Sequence, residues 1–180
     1  MEFLNNSKNY SLNRKTYINL RWIAIIGQII AINLAAFYFN YEFSFIIANI
    51  IVFIGAVTNI YLLSFYVKNL LSNRTGFIFL VIDILQLTIL LYLTGGVLNP
   101  FIIFLIIPSV FASLSLEKKT NYLLILINLL SIIFLSFFYQ ETSLPFPKKS
   151  FVDDYFYFSI PLSLIIALIF LNFFAITFAQ

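Results

Sequence analysis

Asp83 is the one acidic residue inside any of the long apolar runs of this 180-residue chain. A carboxylate near the middle of a bilayer costs about 2.5–3.5 kcal/mol on insertion scales, so it faces protein and takes a partner. Gln86 is one helical turn further on and shares its face. Asn59 and Gln28 fall at similar depths on neighbouring runs, and Arg21 is long enough to bend inward from the start of the first. The expectation is a polar cluster of Arg21, Gln28, Asn59, Asp83 and Gln86 in the inner half of a helix bundle. Two chemistries fit it. One is interhelical glue, at about 0.6 kcal/mol per hydrogen bond and at most about 2. The other is a proton or cation relay, for which a lone carboxylate without histidine is a poor basis.

A second set of residues forms the uncharged turn Gly95-Gly96-Val97-Leu98-Asn99-Pro100-Phe101. Glycine accepts the left-handed backbone that ends a helix, so Gly95 and Gly96 stop the run before them. Asn99 caps the next helix, and Pro100 takes its first position, where no amide hydrogen is needed. Phe101 then faces lipid or a cleft. The helix that follows, 101–116, spans about 24 Å at 1.5 Å per residue, short of a hydrocarbon core of about 30 Å. The turn is therefore expected low, at the outer interface. Capping alone accounts for a tight turn but not for the lack of charge beside one so shallow. Non-helical backbone at such depth is tolerated where it is buried in protein or lines a cavity. Its amides and the Asn99 side chain can hydrogen-bond the carbonyls of a lipid-soluble ligand. Pro108 frees a backbone carbonyl and bends the helix, opening such a cleft.

The elements that hold these residues follow from composition. The chain is 62% hydrophobic and 9% charged, against roughly 25% charged in a soluble domain. Its runs are apolar all round, and a chain this small cannot hide them from water, so they belong in lipid. Six segments of suitable length give an all-α polytopic membrane bundle with spans at 17–39, 43–66, 77–94, 101–116, 122–139 and 155–179. Eight of the ten basic residues (Lys8, Arg14, Lys15, Arg21, Lys68, Arg74, Lys118, Lys119) fall on one side. The positive-inside rule makes that side, and both termini, cytoplasmic. Residues 1–16 read as a mobile cytoplasmic tail, and 140–154 as a short, stiff outer loop too small to be a folded sensory domain. Gly27, Ala31 and Ala35, and likewise Ser109 and Ser113, recur every fourth residue and allow close helix approach, within the chain or in a dimer. Helix 6 runs to Gln180 without a basic anchor, so the parent polypeptide is expected to continue.

Histidine and cysteine are both absent, which removes histidine phosphorylation, histidine bases, thiolate metal sites and cysteine redox chemistry from these residues. The excess of positive charge is a matter of topology and not of nucleic-acid binding.

The chain resembles the membrane domain of the RegB/PrrB-type redox-sensing histidine kinases of proteobacteria. The likeness lies in Leu20-Arg21-Trp22, Gly27-Gln28, Asp83-Ile84-Leu85-Gln86-Leu87, Leu91-Tyr92-Leu93-Thr94-Gly95-Gly96 and the turn itself, which has the form Gly-Gly-x-x-Asn-Pro-Phe. The resemblance implies six spans, ubiquinone sensing at Gly95, Gly96, Asn99, Pro100 and Phe101, and a signal passed through helix 6 to a cytoplasmic kinase. It implies also a homodimer, a cognate response regulator and the bacterial inner membrane. Leu98 stands where the family often has a polar residue. The family's phosphoacceptor histidine, ATP-binding boxes and redox-active cysteine would all lie after Gln180, so these residues by themselves carry no catalysis.

Two other readings compete. A small six-helix transporter or channel would use the polar cluster around Asp83, but there is no internal repeat and no second membrane carboxylate, both common in transporters. A lipid-modifying enzyme would need a histidine, cysteine or paired-carboxylate constellation that the chain lacks.

Overall fold

A computed structural model describes residues 12–140 and 154–178 of the chain, with side chains of the last helix from 160 to 177. In order they form β1 (Leu12–Asn13), α1 (Arg14–Asn33) running on into a π-helical turn (Leu34–Tyr38), α2 (Phe45–Phe65), β2 (Leu70–Leu71) and α3 (Asn73–Leu93). Two 3-10 stretches follow, Gly96–Leu98 and Pro100–Leu105, and then α4 (Ile106–Ser115), α5 (Lys118–Phe137) and α6 (Asp154–Phe178). The fold is all-α and membrane-like. Among the described residues, five helices are long and apolar enough to cross a membrane, while the apolar segment Pro100–Ser115 is shorter.

Helix starts are set by polar caps that the apolar runs alone do not reveal. The Asn13 side chain accepts from the Thr16 amide at 3.2 Å, and the Ser72 hydroxyl accepts from the Thr75 amide at 3.2 Å. Each cap satisfies an amide that has no partner within its helix. Hence α1 begins at Arg14 and α3 at Asn73, ahead of the expected 17 and 77. Arg14 also closes α2, its guanidinium donating to the Leu63 carbonyl at 3.2 Å and to that of Tyr66.

The end of the expected free tail is built into the fold. β1 pairs antiparallel with β2, with Leu12 opposite Leu71, and both leucines are buried. Gly76 lies beneath them, where an added methyl would sit 3.1 Å from Leu116. Residues 1–11 and the outer loop 141–153 lie outside the described residues.

The expected single helix at 101–116 is instead a 3-10 turn passing into an α-helix. Pro108 has no amide for the Phe104 carbonyl, which breaks the α-helical ladder there. The tighter winding rises about 2.0 Å per residue. Six such residues and ten α-helical ones together reach about 27 Å, not about 24.

α3 is the most buried of the five long helices. It meets α2 on one side and α4 and α5 on the other, α1 packs on α2, and α6 packs on α4 and α5. Leu80, Ile84 and Leu91 of α3 join Leu105, Leu124 and Leu168 in the main core. Large apolar side chains such as Ile46, Phe53, Phe65 and Phe173 point outward, a surface suited to lipid and prohibitive in water. Gly27 has nothing within 4 Å of where a methyl would stand. Its small-residue stripe therefore closes no contact among the described residues at that point.

Truncating the strand clip tests this arrangement. Leu71→Ala should lower unfolding free energy in detergent by about 2–5 kcal/mol, the usual loss for a buried leucine. Val67→Ala, at an exposed position, should change it little. Equal effects would mean that the clip contributes nothing.

Candidate functional site

The structure brings the five polar residues of the inner cluster into two adjoining layers. In the first, Arg21 Nε donates to Asp83 Oδ1 at 2.9 Å. The Arg21 Nη2 donates to Thr58 Oγ1 at 2.8 Å and Nη1 to Asn59 Oδ1 at 3.5 Å. Asn59 Nδ2 in turn donates to the Ile18 carbonyl at 3.2 Å. The Tyr17 hydroxyl donates to the other carboxylate oxygen of Asp83. The guanidinium lies over the rings of Tyr17 and Phe79, at 5.6 and 5.7 Å. One turn deeper, Gln86 Nε2 donates to Gln28 Oε1 at 3.1 Å. Gln86 fills the space that Gly55 leaves open, where any β-carbon would collide with its amide.

Because α3 starts at Asn73, Asp83 lies about 15 Å along it, close to the middle of the helix. There the carboxylate has two donors and the arginine has three acceptors. The layer is closed on itself, and neither the groove beside Ile30–Tyr38 nor the one between the starts of α3 and α5 touches it. Tyr17 and Thr58 are the members missed in the sequence. Tyr17 sits one turn before Arg21, so helical spacing was the available signal for it, whereas Thr58, directly before Asn59, had no such signal.

A second polar seam joins α4, α5 and α6. Asn128 Nδ2 donates to Ser109 Oγ at 3.0 Å and to the Leu105 carbonyl. Asn121 Nδ2 donates to Ser113 Oγ at 2.9 Å, and Ser113 Oγ donates to Asn172 Oδ1 at 2.5 Å. All five side chains are buried. Ser109 and Ser113 had stood out only as small residues. Asn121, Asn128 and Asn172 were missed in the sequence; Asn128 and Asn172 could have been found as amides inside expected apolar runs, while Asn121 falls just before the run at 122–139.

At the other end of the bundle, Gly95 and Gly96 both take positive φ, 104° and 60°, which glycine alone adopts without strain. A methyl on Gly96 would stand 2.6 Å from the Tyr139 Cβ and 3.0 Å from the Leu135 carbonyl. Asn99 Oδ1 accepts from the Phe101 amide at 2.9 Å. Its Nδ2 donates to the Thr94 hydroxyl at 2.7 Å and carbonyl at 3.1 Å. Gly95, Gly96 and Val97 are buried, whereas Pro100 and Phe101 are exposed. Phe101 stacks on Phe104 with centroids 5.8 Å apart. A second exposed ladder, Tyr92–Phe134–Phe138, stacks at 6.0 and 5.3 Å. Gln140 ties the ends together, its amide donating to the Tyr92 carbonyl at 2.8 Å and its side chain accepting from Ser44 at 3.2 Å.

The chain is similar to a sensor histidine kinase. Over 159 residues, 88% of its length, it is 27% identical to the protein named sensor histidine kinase RegB of Cereibacter sphaeroides. It spans 34% of that protein's length, about a third. No family model matches the chain, and no solved structure matches it. The similarity and the apolar helical fold together support a sensor-kinase membrane domain.

The ion pair makes a sharp prediction. Removing one partner of a buried pair costs about 3–5 kcal/mol, because the other charge is left uncompensated. Arg21→Leu should therefore lower the thermal midpoint in detergent more than Arg21→Leu combined with Asp83→Leu. If the double substitution is the sum of the single ones, the two groups do not act as a pair.

Proposed function

We propose that this chain is the membrane input domain of a two-component sensor histidine kinase in the bacterial inner membrane. In this reading the six-span bundle begins with α1 at Arg14, both termini are cytoplasmic, and the kinase follows the bundle. The observation that carries this reading is the similarity to RegB along 88% of the chain, on a fold with the apolar helices such a domain needs.

The sensed ligand in this reading is ubiquinone, bound at Gly95, Gly96, Asn99, Pro100 and Phe101. The exposed Phe101–Phe104 stack supplies an aromatic shelf against which a quinone ring packs, since offset-stacked rings attract beyond the area they bury. The Asn99 amide already holds Thr94 and the Phe101 N–H. Asn99 therefore works chiefly by fixing the turn, and the shelf provides the contact. A ligand shifts the bundle only by as much as it prefers one arrangement over the other. The route to the kinase runs from the turn along α4, across the Ser113–Asn172 hydrogen bond, into α6. A second copy of the chain completes the signalling dimer, and a response regulator receives the phosphoryl group. A transporter or channel draws no support from the Asp83 cluster, whose donors and acceptors satisfy one another.

The test uses the full-length kinase in liposomes with a photoreactive ubiquinone. Labelling should fall within residues 94–104, and autophosphorylation should depend on the redox state of the quinone. Asn172→Leu should keep the label and weaken that dependence. Labelling confined to other segments would overturn the quinone assignment. A kinase indifferent to quinone redox state would overturn the sensing role.

A further inference from the structure

The basic end of the bundle holds a groove that the sensing role does not use. Asn73, Arg74, Phe77, Lys119, Thr120 and Leu123 line a groove of about 290 Å³, open to the outside, between the first turns of α3 and α5. That is close to the lower limit of small-ligand sites, about 300 Å³. The two helix starts are locked together: Asn73 Nδ2 donates to Thr120 Oγ1 at 2.8 Å, and the Glu117 amide donates to Asn73 Oδ1 at 3.0 Å.

Its walls are graded in polarity. Phe77 and Leu123 lie further along the two helices, towards the apolar body of the bundle. Arg74 and Lys119 stand in their first turns, are exposed, and make no ion pair among the described residues. Both helices bring the positive ends of their dipoles to the same place. Charge at this end is strongly unbalanced. Arg14, Lys15, Lys68, Arg74, Lys118 and Lys119 face a single acid, Glu117, among the described residues.

We propose that this groove binds the phosphate headgroup of an anionic membrane phospholipid, with an acyl chain lying along Phe77 and Leu123. Guanidinium and ammonium groups on separate helices clamp the phosphate oxygens, Arg74 through its planar fork and Lys119 as a point charge. The apolar wall below distinguishes a lipid from free phosphate, which would need polar groups on every side. The Asn73–Thr120 contact fixes the spacing of the two cations. Because α5 also carries Asn121 and Asn128 of the second polar seam, an occupied site would hold α3 and α5 together at the foot of that seam. This inference is independent of what binds at the glycine turn.

The test is native mass spectrometry of the delipidated full chain in detergent, titrated with dioleoylphosphatidylglycerol, dioleoylphosphatidylcholine or inorganic phosphate. The chain should retain one phosphatidylglycerol in preference to phosphatidylcholine. Arg74→Gln with Lys119→Gln should weaken that binding roughly 25-fold, at about 1 kcal/mol per basic residue. Lys15→Gln with Lys68→Gln removes the same charge outside the groove and should leave the preference intact. Circular dichroism checks that each variant stays helical. The site is refuted by a wild-type chain with no preference between the two lipids. It is refuted equally by the two variant pairs losing the same affinity, which would mean diffuse attraction. Inorganic phosphate that displaces the lipid at comparable concentration would assign the site to free phosphate instead.

Discussion

The ion pair between Arg21 and Asp83 constrains more of this bundle than any other contact. A carboxylate near mid-span has no water to solvate it, so its partner must come from a neighbouring helix and arrive at the same depth. That requirement fixes the axial register of α1 against α3. Arginine has donors to spare after the carboxylate is met, and they reach Thr58 and Asn59, which fixes α2 as well. The Gln28–Gln86 bond and the close approach at Gly55 then follow from that register one turn deeper. Three helices are thus held by a single charge and the groups that neutralise it.

The other half of the bundle is joined by different chemistry. Between α4, α5 and α6 the polar contacts are neutral, serine to asparagine, and neutral interhelical bonds in membranes average about 0.6 kcal/mol. An ionic layer resists being opened because an unpaired buried charge is so unfavourable. A neutral seam can exchange partners at much smaller cost. The bundle is therefore tied by an ionic layer across α1 to α3 and by neutral hydrogen bonds across α4 to α6.

Much of the first half was legible in the chain. Asp83 announces itself as an acid in an apolar run, and Arg21, Asn59, Gln28 and Gln86 follow by depth and helical spacing, since few polar residues compete for the role. Tyr17 escaped because a tyrosine at a span boundary reads as an interfacial anchor, and Thr58 because threonine satisfies itself within its own helix; it also donates to the Gly55 carbonyl. The second seam was harder to see. Asn121, Asn128 and Asn172 are isolated amides with no charge to demand a partner, and nothing local says which helix each will face. The strand clip was illegible because two residues paired across 58 positions, Leu12 to Leu71, leave no periodic trace.

By itself the sequence determined the all-apolar helices, the polar groups that had to be buried, and the turn at Gly95 and Gly96. Each of these follows from local composition and from the rule that backbone polar groups in lipid must be satisfied within the segment. Only the tertiary structure decided where the helices start, how Pro108 divides the fourth apolar segment, and which amides meet. Those outcomes depend on caps and on contacts between residues far apart in the chain, where the energy of one pairing over another is set by three-dimensional neighbours. It also decided that Asn99, besides capping the next helix, reaches back to Thr94, and that a basic groove lies between α3 and α5. Both arise from side chains on separate elements converging, which no spacing along one helix encodes.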